Sequence, residues 1–129
     1  MTILALLLTA LLFGGMTLFS FGFAPVLFAQ LPETQVRPLL RGTFPHYYLV
    51  VTALSALTAL VAAFVSVPAA ILVAAICVTT IYARQILMPR INAASDAGDG
   101  RAFALRHGGS VVLQLVQIGL AAWALLLLA

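Results

Sequence analysis

Four long apolar segments take up most of this chain of 129 residues and restrict the folds open to it. A helix needs about 20 apolar residues to cross a bilayer core about 30 Å thick, because each residue adds about 1.5 Å along the axis. Composition agrees, since 7% of the residues are charged, against roughly a quarter in soluble domains. The sequence therefore predicts a single all-α membrane domain, an antiparallel bundle of four transmembrane helices. The predicted spans are residues 2–30, 46–65, 68–88 and 108–128.

The arginines predict how this bundle is oriented. All six lie in or beside two connecting stretches, predicted as loops at 32–45 and 89–107. Cytoplasmic loops of membrane proteins collect Lys and Arg, so both loops are expected on the cytoplasmic side and both termini outside. We expect a multi-pass protein of the bacterial inner membrane that contacts anionic lipid headgroups and no nucleic acid. The arginines are Arg37, Arg41, Arg84, Arg90, Arg101 and Arg106.

Proline and glycine positions add local expectations. Pro25 predicts a tilt or kink near the cytoplasmic end of the first span. Pro68, directly after a very short turn, predicts that the second and third spans form an αα-hairpin. Gly15 and Gly22 lie seven residues apart on one helical face, a spacing that lets a neighbouring helix approach closely.

Polar residues of the fourth span follow one helical stripe. His107, Ser110, Gln114 and Gln117 are spaced three, four and three residues apart, and polar side chains inside a membrane face protein or water rather than lipid. The second and third spans carry polar residues at a similar depth. These stripes predict a semi-polar pocket that opens to the cytoplasm, lined by Tyr48, Arg84, His107, Ser110 and Gln114.

Arg84 is the one charged residue predicted inside a span, and such a residue is by default a candidate functional group. Two interpretations stay open: the side chain extends to the headgroups, or it points inward. No carboxylate lies inside any predicted span, which argues against a carboxylate-based proton or cation pathway. An inward Arg84 would be held by carbonyls and Gln114, or would bind an anionic ligand group.

The remaining reactive residues give weaker signals. His46 and His107 open two spans on the same side of the membrane and are candidate metal or haem ligands, but they lack a ligand-spacing motif. Pairing of Ser110 with His107 as nucleophile and base would need a third orienting group. Cys77 lies in apolar surroundings and is expected to be a packing residue. We therefore predict no enzyme and no cofactor, with haem or a metal as the alternative.

The chain also carries several short strings that together resemble a known family. They are Gly14-Gly15, Ala24-Pro25-Val26-Leu27-Phe28, Gly42-Thr43-Phe44-Pro45 with Tyr47-Tyr48, Met88-Pro89-Arg90-Ile91-Asn92, and Phe103 with His107 and Ser110. In this combination the chain resembles the membrane family called domain of unknown function 4149, which includes proteins similar to transmembrane protein 205. The resemblance implies a four-span bundle and no biochemical activity. Tolerance of metal-containing toxic compounds is associated with the eukaryotic relatives.

Three functions follow as hypotheses. In the first, the pocket binds a small anionic or metal-bearing solute or assists its passage, with a homo-oligomer as a possible assembly. In the second, the chain is a structural or accessory subunit whose small-residue faces dock on a larger membrane complex. In the third, His46 and His107 bind haem in a membrane redox protein.

Overall fold

A computed structural model describes residues 1–129 as four long helices without strands. Each helix has 29 or 30 residues and is apolar enough to cross a membrane. At about 1.5 Å per residue each is about 45 Å long, so each extends beyond a hydrocarbon core of about 30 Å. The predicted fold class is confirmed. The helices are α1, Thr2–Gln30; α2, Glu33–Ala62; α3, Val67–Asp96; and α4, Gly100–Leu128.

Short connections make successive helices antiparallel neighbours. Ser66 caps the start of α3, where its hydroxyl accepts a hydrogen bond from the Ala69 N–H at 3.3 Å. Asp99 caps α4 in the same way through the Ala102 N–H at 3.1 Å, and Gly98 turns the chain before it with φ of 69°. Each helix packs against the helices next to it in sequence, and α1 packs against α4 to close the bundle. Both termini therefore lie at one end and all six arginines at or toward the other.

The predicted loops at 32–45 and 89–107 are largely helical, which corrects the sequence analysis. Pro38 and Pro45 lie within α2, and only residues 97–99 interrupt the second stretch. A proline removes one backbone hydrogen bond and crowds the preceding turn, so a proline in the sequence predicts that the helix breaks there. In a membrane bundle, neighbouring helices and local adjustments can satisfy the freed groups, so the helix continues.

Two of the helices contain a π-helical turn directly before a proline. In α1 this turn covers Leu18–Phe23, and the Ala24 N–H bonds to the Phe19 carbonyl five residues earlier. In α3 it covers Ala83–Leu87, and the Met88 N–H likewise bonds to the Ala83 carbonyl. Pro25 and Pro89 follow these donors and have no N–H of their own. The irregularity predicted at Pro25 therefore takes the form of a wide turn, which is a known cause of helix bending.

Apolar side chains are packed inside the bundle and also cover its outside. Leu12, Met16 and Ile76 are fully buried in the core. On the outer surface Ile3 is 75% exposed and Leu126 is 76% exposed. So much exposed apolar surface is unsuited to water and suited to lipid. These features identify a multi-pass membrane protein.

The glycines predicted to admit a neighbouring helix do not do so within the bundle. Gly15 is exposed, and a Cβ built on it would meet no atom within 4 Å. A Cβ on Gly22 would meet only Leu18 of the same helix. The prediction of close packing within the chain at these two positions was wrong, because α1 turns this face away from the other helices.

Candidate functional site

Gln114 links three helices in the arginine-rich half of the bundle. Its Nε2 donates one hydrogen bond to Ser20 Oγ of α1 at 2.9 Å and another to the Tyr47 hydroxyl of α2. An amide nitrogen carries two hydrogens, so both are used. Ser20 lies in the π-helical turn of α1. Gln114 was predicted to line a pocket, and it joins α4 to α1 and α2 instead.

Aromatic rings pack around this polar contact. Phe19 stacks on Tyr47 with ring centroids 4.0 Å apart and an angle of 11° between the planes. Phe44 meets Phe19 edge-on and lies 5.6 Å from Tyr48. Tyr48 is 7% exposed, and its hydroxyl lies 3.4 Å from Ser110 Oγ, a long contact for two hydroxyls. The tyrosines thus place their polar tips on α4 and their rings among other aromatic groups.

Arg84 lies in the π-helical turn of α3 and contacts α2. Its Nε donates to the Pro45 carbonyl at 3.2 Å, and the side chain is partly buried. Neither terminal guanidinium nitrogen has a hydrogen-bond partner within the chain. Arg84 makes no salt bridge. The sequence left two interpretations open, a side chain that extends to the headgroups and one that points inward. In the structure the Arg84 side chain is turned toward α2, where it donates to a backbone carbonyl.

The three carboxylates of the chain are engaged elsewhere. Glu33 pairs with Arg37 at 3.0 Å, and Asp96 accepts two hydrogen bonds from Arg41 at 2.7 and 2.8 Å. Asp99 caps α4. These pairs are exposed and contribute little stability each, but they leave no acid for Arg84.

The predicted histidines stay apart from these contacts. His107 is exposed and stacks on Phe103, with parallel rings 5.5 Å apart. His46 is also exposed. No group of three or more His, Cys, Asp or Glu residues is placed to hold a metal ion. Neither histidine is therefore joined to the buried polar residues.

The predicted five-residue pocket is divided into separate contacts. Tyr48 pairs with Ser110, Gln114 bonds to Ser20 and Tyr47, and Arg84 bonds to the Pro45 carbonyl. Surface cavities of about 230 and 210 Å³ lie at the charged end, where Arg37 lines both. Neither cavity is lined by any of the five predicted residues.

A second polar contact lies one helical turn further from the arginine-rich end. Gln117, which is 2% exposed, donates to Thr79 Oγ1 at 2.8 Å and to Thr80 Oγ1 at 3.0 Å. Cys77 Sγ contacts the Thr52 carbonyl at 3.6 Å and joins α3 to α2. Three residues of the predicted α4 stripe, Ser110, Gln114 and Gln117, thus contact other helices, whereas the fourth, His107, is exposed.

The sequence did not predict Ser20 and Tyr47 as the hydrogen-bond partners of Gln114. Tyr47 follows the pattern of its neighbour Tyr48, which was predicted to line the pocket, but Tyr47 itself was not assigned to it. Ser20 carried no sequence signal, because the π-helical turn around it changes which residues of α1 face α4.

Comparison with known proteins gives one match. The family model described as "Domain of unknown function (DUF4149)" matches residues 7–99, which run from α1 to the turn before α4. No curated protein and no solved structure matches the chain. The expected similarity to transmembrane protein 205 therefore stays a prediction. Since the matched residues make up most of the chain, and the four-helix bundle agrees with the fold that the resemblance implies, the protein belongs to the DUF4149 family of domains of unknown function.

Proposed function

We propose that this chain is a non-enzymatic multi-pass protein of the bacterial inner membrane that binds a small anionic group at Arg84. The group belongs to a free anion or to a metal-bearing solute with an anionic part. The arginine-rich end faces the cytoplasm, and both termini lie outside. In this proposal the solute reaches Arg84 from the cytoplasmic side.

The state of Arg84 is the observation that supports this proposal. Its Nε is occupied by the Pro45 carbonyl, which fixes the plane of the guanidinium group. The two terminal nitrogens keep four N–H groups, arranged in the planar fork that binds carboxylate or phosphate oxygens in pairs. No carboxylate of the chain competes for them.

The location of Arg84 adds to this. It lies in a π-helical turn, and such turns occur frequently at functional sites. The proposed site is smaller than the pocket expected from sequence: it consists of Arg84 beside Pro45, without Tyr48, Ser110 or Gln114 as ligands.

Inorganic phosphate can serve as the probe. Purified protein in detergent would be unfolded thermally with increasing phosphate, using chloride at equal ionic strength as the reference. We expect phosphate to raise the unfolding midpoint, because a ligand bound only to the folded state stabilises it. Arg84→Gln should abolish the increase, whereas Arg37→Gln, at the same end of the bundle, should keep it. An equal response in the Arg84→Gln variant would refute the site.

An accessory role in a larger membrane complex is the second candidate. It is favoured by the outward position of Gly14 and Gly15, since a Cβ on either would meet no atom within 4 Å. Small residues on a lipid-facing surface let a foreign helix approach closely. In this role the polar contacts of Gln114 and Gln117 serve only to hold the bundle.

Purification in mild detergent separates the two candidates. A stoichiometric membrane partner that is lost from Gly15→Leu and retained by Gly42→Leu would favour the accessory role. Gly42 is a suitable control because it has open space as well and lies on a different helix. Recovery of the chain without a partner, together with a phosphate response that depends on Arg84, would favour the anion site.

A further inference from the structure

A hydrogen bond joins two arginines of α3 and α4 at the charged end, and neither arginine pairs with an acid. Arg106 of α4 donates from Nη1 to the backbone carbonyl of Arg90 in α3 at 3.0 Å. Both arginines are exposed, and neither takes part in a salt bridge. The contact places the Arg106 guanidinium against the backbone of residue 90, from which the Arg90 side chain extends.

The acids of this end do not neutralise that region. Asp96 is held by two hydrogen bonds from Arg41, and Asp99 is used as the cap of α4. Arg106 keeps its other N–H groups free, and the Arg90 guanidinium has no partner in the chain. The positive charge therefore has to be balanced from outside the protein.

The surroundings of the pair are those of a lipid-facing surface. Ile86, one helical turn before Arg90, is 42% exposed, and Leu105, next to Arg106, is 69% exposed. Gly109, one turn after Arg106, is exposed and has open space around it. Apolar surface suited to acyl chains thus adjoins positive charge suited to a headgroup, since arginines near the ends of spans extend toward the interface.

We propose that Arg90 and Arg106 form a binding site for the phosphate of an anionic phospholipid headgroup, on the outer side of α3 and α4. Arginine forks bind phosphate oxygens in pairs, and basic sites between transmembrane helices on the cytoplasmic side bind anionic headgroups. Free inorganic phosphate shares this chemistry but has no acyl chains to cover Ile86 and Leu105. The site is separate from Arg84 and does not depend on the function proposed for it.

The test compares lipids with identical acyl chains. Phosphatidylglycerol or phosphatidylcholine would be added to the purified protein in detergent, with thermal stability and native mass spectrometry as readouts. We expect phosphatidylglycerol to bind and stabilise, and phosphatidylcholine to do neither. In Arg90→Gln/Arg106→Gln the affinity for phosphatidylglycerol should fall about 30-fold. Each arginine near an anionic headgroup raises the affinity by a factor of about 5, and the two factors multiply.

A charge-matched control distinguishes a specific lipid site from general electrostatic attraction of anionic lipid to the charged end. Arg37→Gln/Arg41→Gln removes the same charge from the same end and should keep the phosphatidylglycerol response. Equal losses in both double variants would overturn the site. If the Gln variant fails to fold, Arg90→Lys/Arg106→Lys keeps the charge but loses the fork; unchanged affinity in that variant would also overturn it.

Arg84→Gln separates this site from the anion site proposed above. In that variant we expect the phosphatidylglycerol response to persist and inorganic phosphate to have no effect. Loss of the lipid response from Arg84→Gln alone would show that the lipid binds at Arg84, and would overturn the assignment to Arg90 and Arg106. Stabilisation of Arg84→Gln by inorganic phosphate as strong as that by the lipid would overturn the preference for a headgroup.

Discussion

At the scale of single residues, the two inward amides of α4 have different surroundings. Gln114 bonds to Ser20 and Tyr47, whose hydroxyls lie on two other helices. Gln117 bonds to Thr79 and Thr80, whose own hydroxyls already donate to the Ala75 and Ile76 carbonyls. Removing the first amide therefore removes the hydrogen bonds that join α4 to α1 and α2, whereas removing the second leaves both threonines bonded.

We expect Gln114→Ala to lower the free energy of unfolding by about 1–2 kcal/mol, because interhelical hydrogen bonds in membranes contribute about 0.6 kcal/mol on average and up to about 1.7. Gln85→Ala is the matched control, since Gln85 is exposed in α3. Unfolding in mixed detergent micelles measures both. Equal stability of the two variants would contradict a linking role for Gln114.

The volume of the Gln117 side chain is expected to contribute more to the free energy of unfolding than its hydrogen bonds do. Gln117→Leu keeps the core filled and should cost less than about 1 kcal/mol, because Thr79 and Thr80 retain their carbonyl acceptors. Gln117→Ala opens a cavity and should be about 2 kcal/mol less stable than the Leu variant. The same unfolding measurement compares them, and the opposite order would show that the amide bonds dominate.

At the scale of elements, the π-helical turns decide where α1 and α3 direct their side chains. Ser20 belongs to one turn, where it accepts a hydrogen bond from Gln114, and Arg84 belongs to the other, where it donates to the Pro45 carbonyl. A π turn bonds each N–H five residues back, so it holds one residue more than the α-helical turn it replaces. Proline follows each turn because it needs no acceptor.

Deleting one residue gives a direct test of this geometry. Loss of Gln85, inside the π turn of α3, should convert that turn to regular α-helix. The side chains before and after the turn should then keep their present directions. Loss of Ala74, which is also exposed but lies in regular helix, should rotate the rest of α3 by about 100° and move Thr80 out of the core.

Size-exclusion profiles and thermal midpoints of the two deletion variants measure the difference. The Gln85 deletion is expected to stay monodisperse with a small loss of stability, and the Ala74 deletion to aggregate. Equal aggregation and equal loss of thermal stability in both variants would show that the π turn does not accommodate the deletion.

At the scale of the whole molecule, charge is confined to one end of an apolar bundle. The arginines, the paired carboxylates and the cap of α4 all lie there, and the termini lie at the opposite end. Helices of about 45 Å are longer than a hydrocarbon core of about 30 Å, so groups at their ends are expected at headgroup depth. The proposed orientation, with the arginines in the cytoplasm, rests on the bias of cytoplasmic loops toward basic residues.

Reporter fusions measure that orientation. Alkaline phosphatase, which is active only outside the cytoplasm, should be active when fused after Ala129 and inactive when fused after Gly98, in the turn before α4. A fluorescent protein that matures only in the cytoplasm should show the reverse pattern. Activity of the phosphatase at Gly98 would invert the proposed topology.

The sequence by itself determined the number of helices, their membrane character and the end that carries the charge. These properties are sums over many neighbouring residues, so single exceptions do not change them. It also indicated that Ser110, Gln114 and Gln117 of α4 face inward, because regular α-helical spacing holds through that helix; the fourth residue of the predicted stripe, His107, is exposed.

Only the tertiary structure decided what each polar group contacts and where the helices end. Pro38 and Pro45 stay within α2, π turns reset the facing of Ser20 and Arg84, and Gly15 faces outward. Each of these outcomes depends on which helix lies opposite, and that is a property of the packed bundle rather than of local sequence. Tyr48, Ser110 and Gln114, which were predicted to line a pocket, contact side chains of other helices for the same reason: polar groups brought together in an apolar interior satisfy one another.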